Sequence, residues 1–282
     1  MMLRSRKISK ITKNTFKYIL LLLFTGYAFL PILWMILTSI RTPAEYFSRP
    51  PTLLVKNMTL ESYVKVLSDP RFPQYIFNSF AIAIASAILT ILISSLAGYG
   101  FSRFTFKGKN LLFLSVVFCQ LVPIMAIMLP LYDWMSQLML IDTPISLIIA
   151  YFIITLPLST WMSRAAFSKV PLSVEEAALI DGCSRLKAIF KIVLPLALPS
   201  LAAIFAFCFI QAWNEYVLAM TLINSTSKRT IQVGLMLYKG EYFTDWGALM
   251  AASTIVSLPI ILIFILIQKY LVYGLTAGAV KG

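Results

Sequence analysis

The sequence predicts an all-α integral membrane protein with six transmembrane helices, and three observations carry that prediction. The 282 residues are 60% hydrophobic and only 12% charged, too few charges to clothe a soluble core of that size. Six apolar runs are long enough for a bilayer core, which needs about 20 helical residues: roughly 18–40, 78–101, 111–131, 144–163, 196–222 and 247–268. The net charge of +13 comes from basic residues lying between those runs. That placement speaks for membrane orientation and against nucleic acid.

The first run follows "MMLRSRKISKITKNTFK", a basic start resembling a signal peptide. Its apolar stretch is too long for such a signal and no small-residue cleavage site follows, so it reads as a retained helix behind a segment 1–17. Prolines inside the runs (Pro31, Pro123, Pro130, Pro157, Pro259) read as tolerated kinks. With the N-terminus in the cytoplasm, sixteen of the 24 Lys and Arg fall on the cytoplasmic side and eight on the other. Both termini are therefore expected in the cytoplasm, together with the loop 164–195.

Several function classes drop out. Histidine is absent, and Cys119, Cys183 and Cys208 have no metal or redox spacing. No catalytic residue and no metal site is expected, and a membrane-bound enzyme is remote. The chain contains no G-x-x-x-x-G-K-[ST], so ATP hydrolysis would have to come from elsewhere.

The stretch "EEAALIDGCSRLKAIFKIVLPLALPS", residues 175–200, interrupts the apolar runs with three acids and three bases. Ser173 and Glu176 match a capping box, and Gly182 stands where a left-handed helix stop is needed. A second helix is expected from Ser184, with Leu186, Ile189, Phe190 and Val193 on one apolar face, ended or kinked at Pro195. From residue types alone two readings stay open: docking into a groove on another protein, or lying on the membrane surface.

The order Glu176-Ala177-Ala178, Gly182, then Ile192-Val193-Leu194-Pro195 resembles the EAA loop (E-A-A-x3-G-x9-I-x-L-P) of ABC importer permeases. "TSIRTPAEYFSRPPTLLVKNMTLESYVKVL", "QAWNEYVLAMTLI", "DWGALMAAS" and "YGLTAGAVKG" resemble its carbohydrate, maltose-type branch. The resemblance implies the type I ABC importer permease fold, one transmembrane permease domain over 1–282, in a bacterial-type cytoplasmic (inner) membrane. It implies a second, non-identical permease subunit, two cytoplasmic ATPase subunits and an extracytoplasmic solute-binding protein. ATP and Mg belong to the ATPase, with no cofactor in this chain. By position, Glu176, Ala177, Ala178, Asp181 and Gly182 would form the ATPase contact. Cys183 departs from the family's usual alanine.

Polar and aromatic groups in the runs are the candidate substrate path: Gln120, Tyr151, Gln211, Asn214, Glu215 and Tyr216, with Trp213 among them. Glu215 is the lone acid within a run, a functional-site signal by default. It lies about 30 Å along from Pro195, near the end of its span, where pairing with Lys228 or Arg229 is the competing reading. So few intramembrane charges suit a neutral sugar, bound by amides and aromatic faces. The resemblance places Tyr238, Lys239, Gly240 and Glu241 against the binding protein, with a loop packed on its own helices as the alternative. "NMT" at 57–59 is a chance glycosylation match. A secondary carrier acting as a homo-oligomer is the rival transport reading; it would ordinarily show charge relays and inverted repeats.

Overall fold

The structure is a computed structural model that describes residues 2–48, 55–240 and 243–276. Among them every regular element is a helix, and β pairing is limited to two isolated bridges, Arg41 with Met58 and Lys239 with Thr244. Five helical stretches are long and apolar enough to cross a membrane: Thr15–Ser39, Arg71–Arg103, Pro144–Ser168, Arg185–Asn214 and Trp246–Lys269. A sixth is a bent pair, Lys109–Leu121 with Ile124–Gln137, turned by 98°. The chain divides into two compact units, residues 1–69 with 237–255 and residues 70–236 with 256–282.

The first unit begins with α1 (Met2–Ser39), which runs unbroken through the basic start and the first apolar run. Residues 2–17 are helical and continuous with the apolar run that follows. The chain after α1 carries α2 (Pro43–Tyr46) and α3 (Glu61–Leu67). Polar side chains fix their connections. Arg41 is 2% exposed, its guanidinium 4.9 Å from the centre of the Trp34 ring. Glu45 accepts from the amides of Lys56 (3.2 Å) and Asn57 (2.6 Å). Asp245 accepts from the Ala248 amide at 2.9 Å, capping α13 (Trp246–Thr276), and pairs with Lys65 at 2.6 Å.

The second unit holds α4 (Arg71–Arg103), α5 (Lys109–Phe118), α6 (Ile124–Gln137) and α7 (Pro144–Ser168). It continues with α8 (Leu172–Ile180), α9 (Arg185–Ala188), α10 (Leu194–Asn214), α11 (Val217–Leu222) and α12 (Ile231–Leu235). Its centre is α4 against α7. In lipid the hydrophobic effect does not pull helices together, so close backbone approach and interhelical hydrogen bonds must do it. The facing residues are accordingly small or hydroxylic: Ala83, Ala87, Thr90, Ser94 and Gly98 on α4, Thr155, Ser159 and Ser163 on α7, all buried. Thr90 and Thr155 hydroxyls lie 2.9 Å apart, and Ser163 donates to Ser94 at 3.4 Å. A β-carbon on Gly98 would sit 2.5 Å from that of Ser163 and 2.7 Å from the Arg164 nitrogen. The pairs advance together, so the two helices run parallel.

Two expected spans are corrected. The third, 111–131, is not one helix: after α5 a 3-10 turn Cys119–Leu121 leads to extended Val122 and Pro123 before α6 starts. Proline disfavours helical geometry in the residue before it, and Val122 is extended at ψ 121°. Of the five span prolines, Pro123 alone falls at a break; Pro31, Pro130, Pro157 and Pro259 lie inside helices. The fifth, 196–222, starts earlier and stops sooner. Its helix ends at Asn214, Glu215 is extended, and α11 is a separate short helix.

Candidate functional site

The loop between α7 and α10 is built around α8. Its start follows from Pro171, whose backbone (φ −59°, ψ 136°) is the cap, so Ser173 already lies inside the first turn. The capping box expected from Ser173 and Glu176 is therefore absent, and no side chain caps this end. The stop is as expected. Gly182 has φ +84°, its amide donates to the Leu179 carbonyl (3.1 Å), and the Cys183 amide donates to the Ala178 carbonyl (3.0 Å). That pair of bonds is a Schellman stop, whose left-handed residue favours glycine.

Two faces of α8 differ. Glu175 and Ala178 are buried, while Ser173, Glu176, Ala177 and Ile180 form an exposed stripe at helical spacing, Ile180 at 86% exposure. Leu172, Val174, Asp181 and Gly182 are exposed as well. The buried face is pinned by charge: the Glu175 carboxylate accepts from Arg103 Nε at 3.0 Å and from the Tyr99 hydroxyl. Arg103 also donates through Nη2 to the Val170 carbonyl at 2.8 Å. Both partners are nearly enclosed, with side chains 10% and 5% exposed. Sequence reasoning missed Glu175, Arg103 and Tyr99. The available signal was the doubled acid Glu175-Glu176, since neighbours on a helix of 3.6 residues per turn cannot share a face.

Beyond Gly182 the second helix is capped at Ser184, which accepts from the Lys187 amide at 3.4 Å. It does not end at Pro195. From α9 the chain passes through a π-helical turn, Ile189–Val193, straight into α10. Of its expected apolar face Val193 is buried, while Leu186 and Phe190 are 69% and 63% exposed.

Beside the broken third span lies an open pocket of about 400 Å³, lined by Cys119, Gln120, Thr155 and Gln211 together with aliphatic side chains, Pro123 and Pro157; Gln120 and Gln211 are exposed. That volume lies in the range of small-molecule sites, about 300–1,000 Å³. Two of the candidate path residues, Gln120 and Gln211, meet here, and none of the lining residues is charged. Pro157 has no amide to give the Ile153 carbonyl, which belongs to another lining residue.

Other path candidates lie apart from the cavity lining. Tyr151 and Trp213 are buried in helix packing, Asn214 is exposed at the end of α10, and Tyr216 is half-buried. Glu215 is 9% exposed and pairs with neither Lys228 nor Arg229. Its two oxygens accept from the Leu218 (2.8 Å) and Ala219 (3.1 Å) amides, so the break in the helix sets an acid over the start of α11. Tyr238, Lys239 and Gly240 lie on a tight turn, the Gly240 amide donating to the Phe243 carbonyl (3.0 Å) and the Asp245 amide to the Tyr238 carbonyl (3.0 Å). Glu241 lies outside the described residues.

Lys228 is taken by Asp142 instead (3.1 Å), in the loop before α7. Asp142 adopts φ +60°, a geometry aspartate tolerates, and accepts also from the Ser225 hydroxyl and from the Ser225 (2.8 Å) and Asn224 (3.0 Å) amides. The Ser225 hydroxyl and amide, then Lys228 and the Asn224 amide, hold its carboxyl far below the usual aspartate range. Because the folded value is depressed, the stabilisation is complete above the ordinary aspartate value of about 3.9 and disappears as pH falls through the folded one. Amide exchange at Asn224 and Ser225 should therefore stay slow from neutrality to about pH 4. In Asp142→Asn it should be fast throughout; equal protection in the variant would contradict this role.

Comparison with known proteins fits these features. Residues 90–276 match the family described as binding-protein-dependent transport system inner membrane component. The chain belongs to that family. As a permease it is 35% identical over 252 residues to the sulfoquinovosyl glycerol transport system permease protein SmoH of Agrobacterium fabrum, covering 89% of this chain and 88% of SmoH. It is 38% identical over 255 residues to the trehalose/maltose transport system permease protein MalG of Thermococcus litoralis, covering 89% and 91%. The permease fold also matches a chain of a bacterial ABC transporter that imports the acidic polysaccharide alginate, with TM-score 0.77 at 24% identity, covering 93% and 97%. This protein is thus an inner-membrane component whose loop 176–195 carries the EAA motif typical of such permeases.

Proposed function

We propose that the chain is the permease subunit of an ATP-driven, binding-protein-dependent importer of neutral sugars, working by alternating access. The observation that carries this reading is the two-faced α8: one side anchored to the bundle by Glu175, the other presenting Ser173, Glu176, Ala177 and Ile180 to open space. A nine-residue helix held this way suits a cleft on a separate ATPase better than a membrane surface, where the exposed Glu176 carboxylate gains nothing. Glu176, Ala177, Asp181 and Gly182 would meet the ATPase, and Ala178 would back them from the buried side. This end faces the cytoplasm, with both termini, and 1–282 works as one permease domain.

Partners follow from the same reading: two ATPase subunits carrying ATP and Mg, a second, unlike permease, and an external binding protein met by 238–241. The cavity supports a neutral cargo, since the two amides of Gln120 and Gln211 and the Thr155 hydroxyl line it without a counter-charge. Carbohydrate is the class carried by SmoH and MalG as named. The alginate transporter has the same fold with an acidic cargo, so cargo charge rests on the lining and not on the fold. Family membership gives the homo-oligomeric carrier no support.

Purification from native membranes, then reconstitution with the binding protein, tests the proposal. Expected are a co-purifying ATPase and second permease, neutral-sugar uptake that needs all of them, and no ATP turnover by the isolated chain. Turnover by that chain alone, or uptake selective for a phosphorylated sugar, would sink it. Gly182 gives a finer test. No atom lies within 4 Å of an added β-carbon there, so the chain itself resists substitution only through backbone strain of roughly 1 kcal/mol. Gly182→Ala should weaken ATPase retention modestly, and Gly182→Asn, which tolerates the left-handed geometry, less so. If asparagine is the more damaging of the two, the partner packs against this position.

A further inference from the structure

The half of the loop beyond Gly182 presents a surface that docking of α8 leaves unused. Arg185–Asn214 is one continuous apolar helical stretch of 30 residues. A hydrocarbon core is about 30 Å thick, and about 40–45 Å with its headgroup layers. The 21 residues of α10 carry no charge and rise about 31 Å, enough to fill that core by themselves. Residues 185–193 are left for the headgroup layer.

Their side chains suit that depth. Leu186 and Phe190 are exposed four residues apart, and Lys187 and Lys191 form a second exposed stripe beside them. An apolar stripe flanked by lysines fits the boundary where acyl chains meet phosphates, because long cationic side chains reach outward from it. A second segment comes to the same level. The Arg185 guanidinium lies 5.4 Å from the centre of the Phe104 ring, just past the end of α4. The loop that follows exposes Phe106 and Lys107, and Lys109 donates to the Phe104 carbonyl at 2.7 Å.

The charge here is one-sided. Among the described residues Lys107, Arg185, Lys187 and Lys191 meet no carboxylate. Glu175 is taken by Arg103, while Glu176 and Asp181 stand exposed on the other side of Gly182. All of these groups belong to one compact unit.

We propose that loop 104–109 and segment 185–191 form a binding site for the phosphate of an anionic phospholipid. Lys107, Arg185, Lys187 and Lys191 surround the headgroup, and Leu186 and Phe190 lie against its chains. The two readings that residue types left open then take one half of the loop each, protein before Gly182 and lipid after it. Only the choice of leaflet, the inner one, rests on the permease reading above.

Native mass spectrometry of the purified full chain, equilibrated with equal amounts of phosphatidylglycerol and phosphatidylcholine, reads the preference directly. Wild type should retain phosphatidylglycerol about tenfold over phosphatidylcholine, since each cation near an anionic headgroup adds roughly fivefold. Lys187→Gln with Lys191→Gln should bring the ratio near parity, and Lys187→Arg with Lys191→Arg should keep it. Should the glutamine pair not assemble, Lys107→Gln decides, with a fall of about twofold expected. A wild-type ratio near parity overturns the proposal, and so does an unchanged ratio in the glutamine variants. Lys56→Gln with Lys239→Gln removes the same charge elsewhere, so an equal fall there would overturn the site in favour of net charge. Displacement of the lipid by millimolar inorganic phosphate would also overturn it, because the ligand would then be a soluble anion. If the glutamine pair keeps its lipid and loses the ATPase during purification from native membranes, the face belongs to that protein and the proposal fails. A wild-type chain that retains no ATPase defeats the permease reading and leaves the lipid ratio standing.

Discussion

Arg103→Ala is expected to release α8 and to cost about 3–5 kcal/mol, because it leaves the Glu175 carboxylate buried without its charge partner. Tyr99 would still donate to that carboxylate, and the Val170 carbonyl would lose its donor as well. Hydrogen exchange over 172–183 in detergent should rise sharply while exchange in the middle of α4 changes little. Glu176→Ala is the matched control: it removes an acid from the same helix but from the exposed face, and should leave exchange near wild type. The exchanged pair Arg103→Glu with Glu175→Arg should recover part of the protection. Wild-type protection in Arg103→Ala would mean that the ion pair does not hold the helix.

Two glycines two residues apart on α4 should respond in opposite directions. In Gly98→Ala the new methyl meets Ser163 Cβ at 2.5 Å and the backbone nitrogen of Arg164 at 2.7 Å. Backbone cannot rotate away, so α4 and α7 must part by about 1 Å to restore ordinary contact. Overpacking of this kind costs about 1–3 kcal/mol, and the hydroxyl pairs on either side would lengthen too. Gly100→Ala meets nothing within 4 Å and replaces a poor helix former with the best, a gain of up to about 0.8–1.0 kcal/mol. Melting in detergent at equal membrane levels separates the two variants. Equal melting points would show that the α4–α7 contact is looser than its geometry.

The reasons some features were legible in the sequence and others not are physical. Span positions follow from composition, because a bilayer accepts only long apolar helices; five of the six runs contain a helix long and apolar enough to cross, and the third holds the bent pair. Gly182 was legible because a left-handed stop has few residue solutions. The break at Pro123 was not, since proline within a span is usually absorbed, as at Pro31, Pro130, Pro157 and Pro259. Glu176 drew attention through its motif while Glu175 did the anchoring; deciding between adjacent acids takes knowledge of which face meets Arg103, a residue 72 positions away. The sequence offered Lys228 or Arg229 to Glu215; that Lys228 goes to Asp142 depended on a turn geometry that hydropathy does not encode. Of the path residues, Gln120 and Gln211 converge on one pocket beside the break within the third apolar run.

That break changes what the middle of the bundle is made of. A straight helix seals its own amides and carbonyls, and hydrocarbon tolerates it for that reason. At the 98° turn, Val122 and Pro123 are extended and the helical ladder lapses, with only the Val122 amide reaching back to the Cys119 carbonyl at 3.3 Å. Peptide groups left open at that depth cost several kcal/mol each against acyl chains, so the cavity beside them must be hydrated and not filled by lipid. A hydroxyl-rich cargo entering it exchanges one set of hydrogen bonds for another and does not have to open a dry wall.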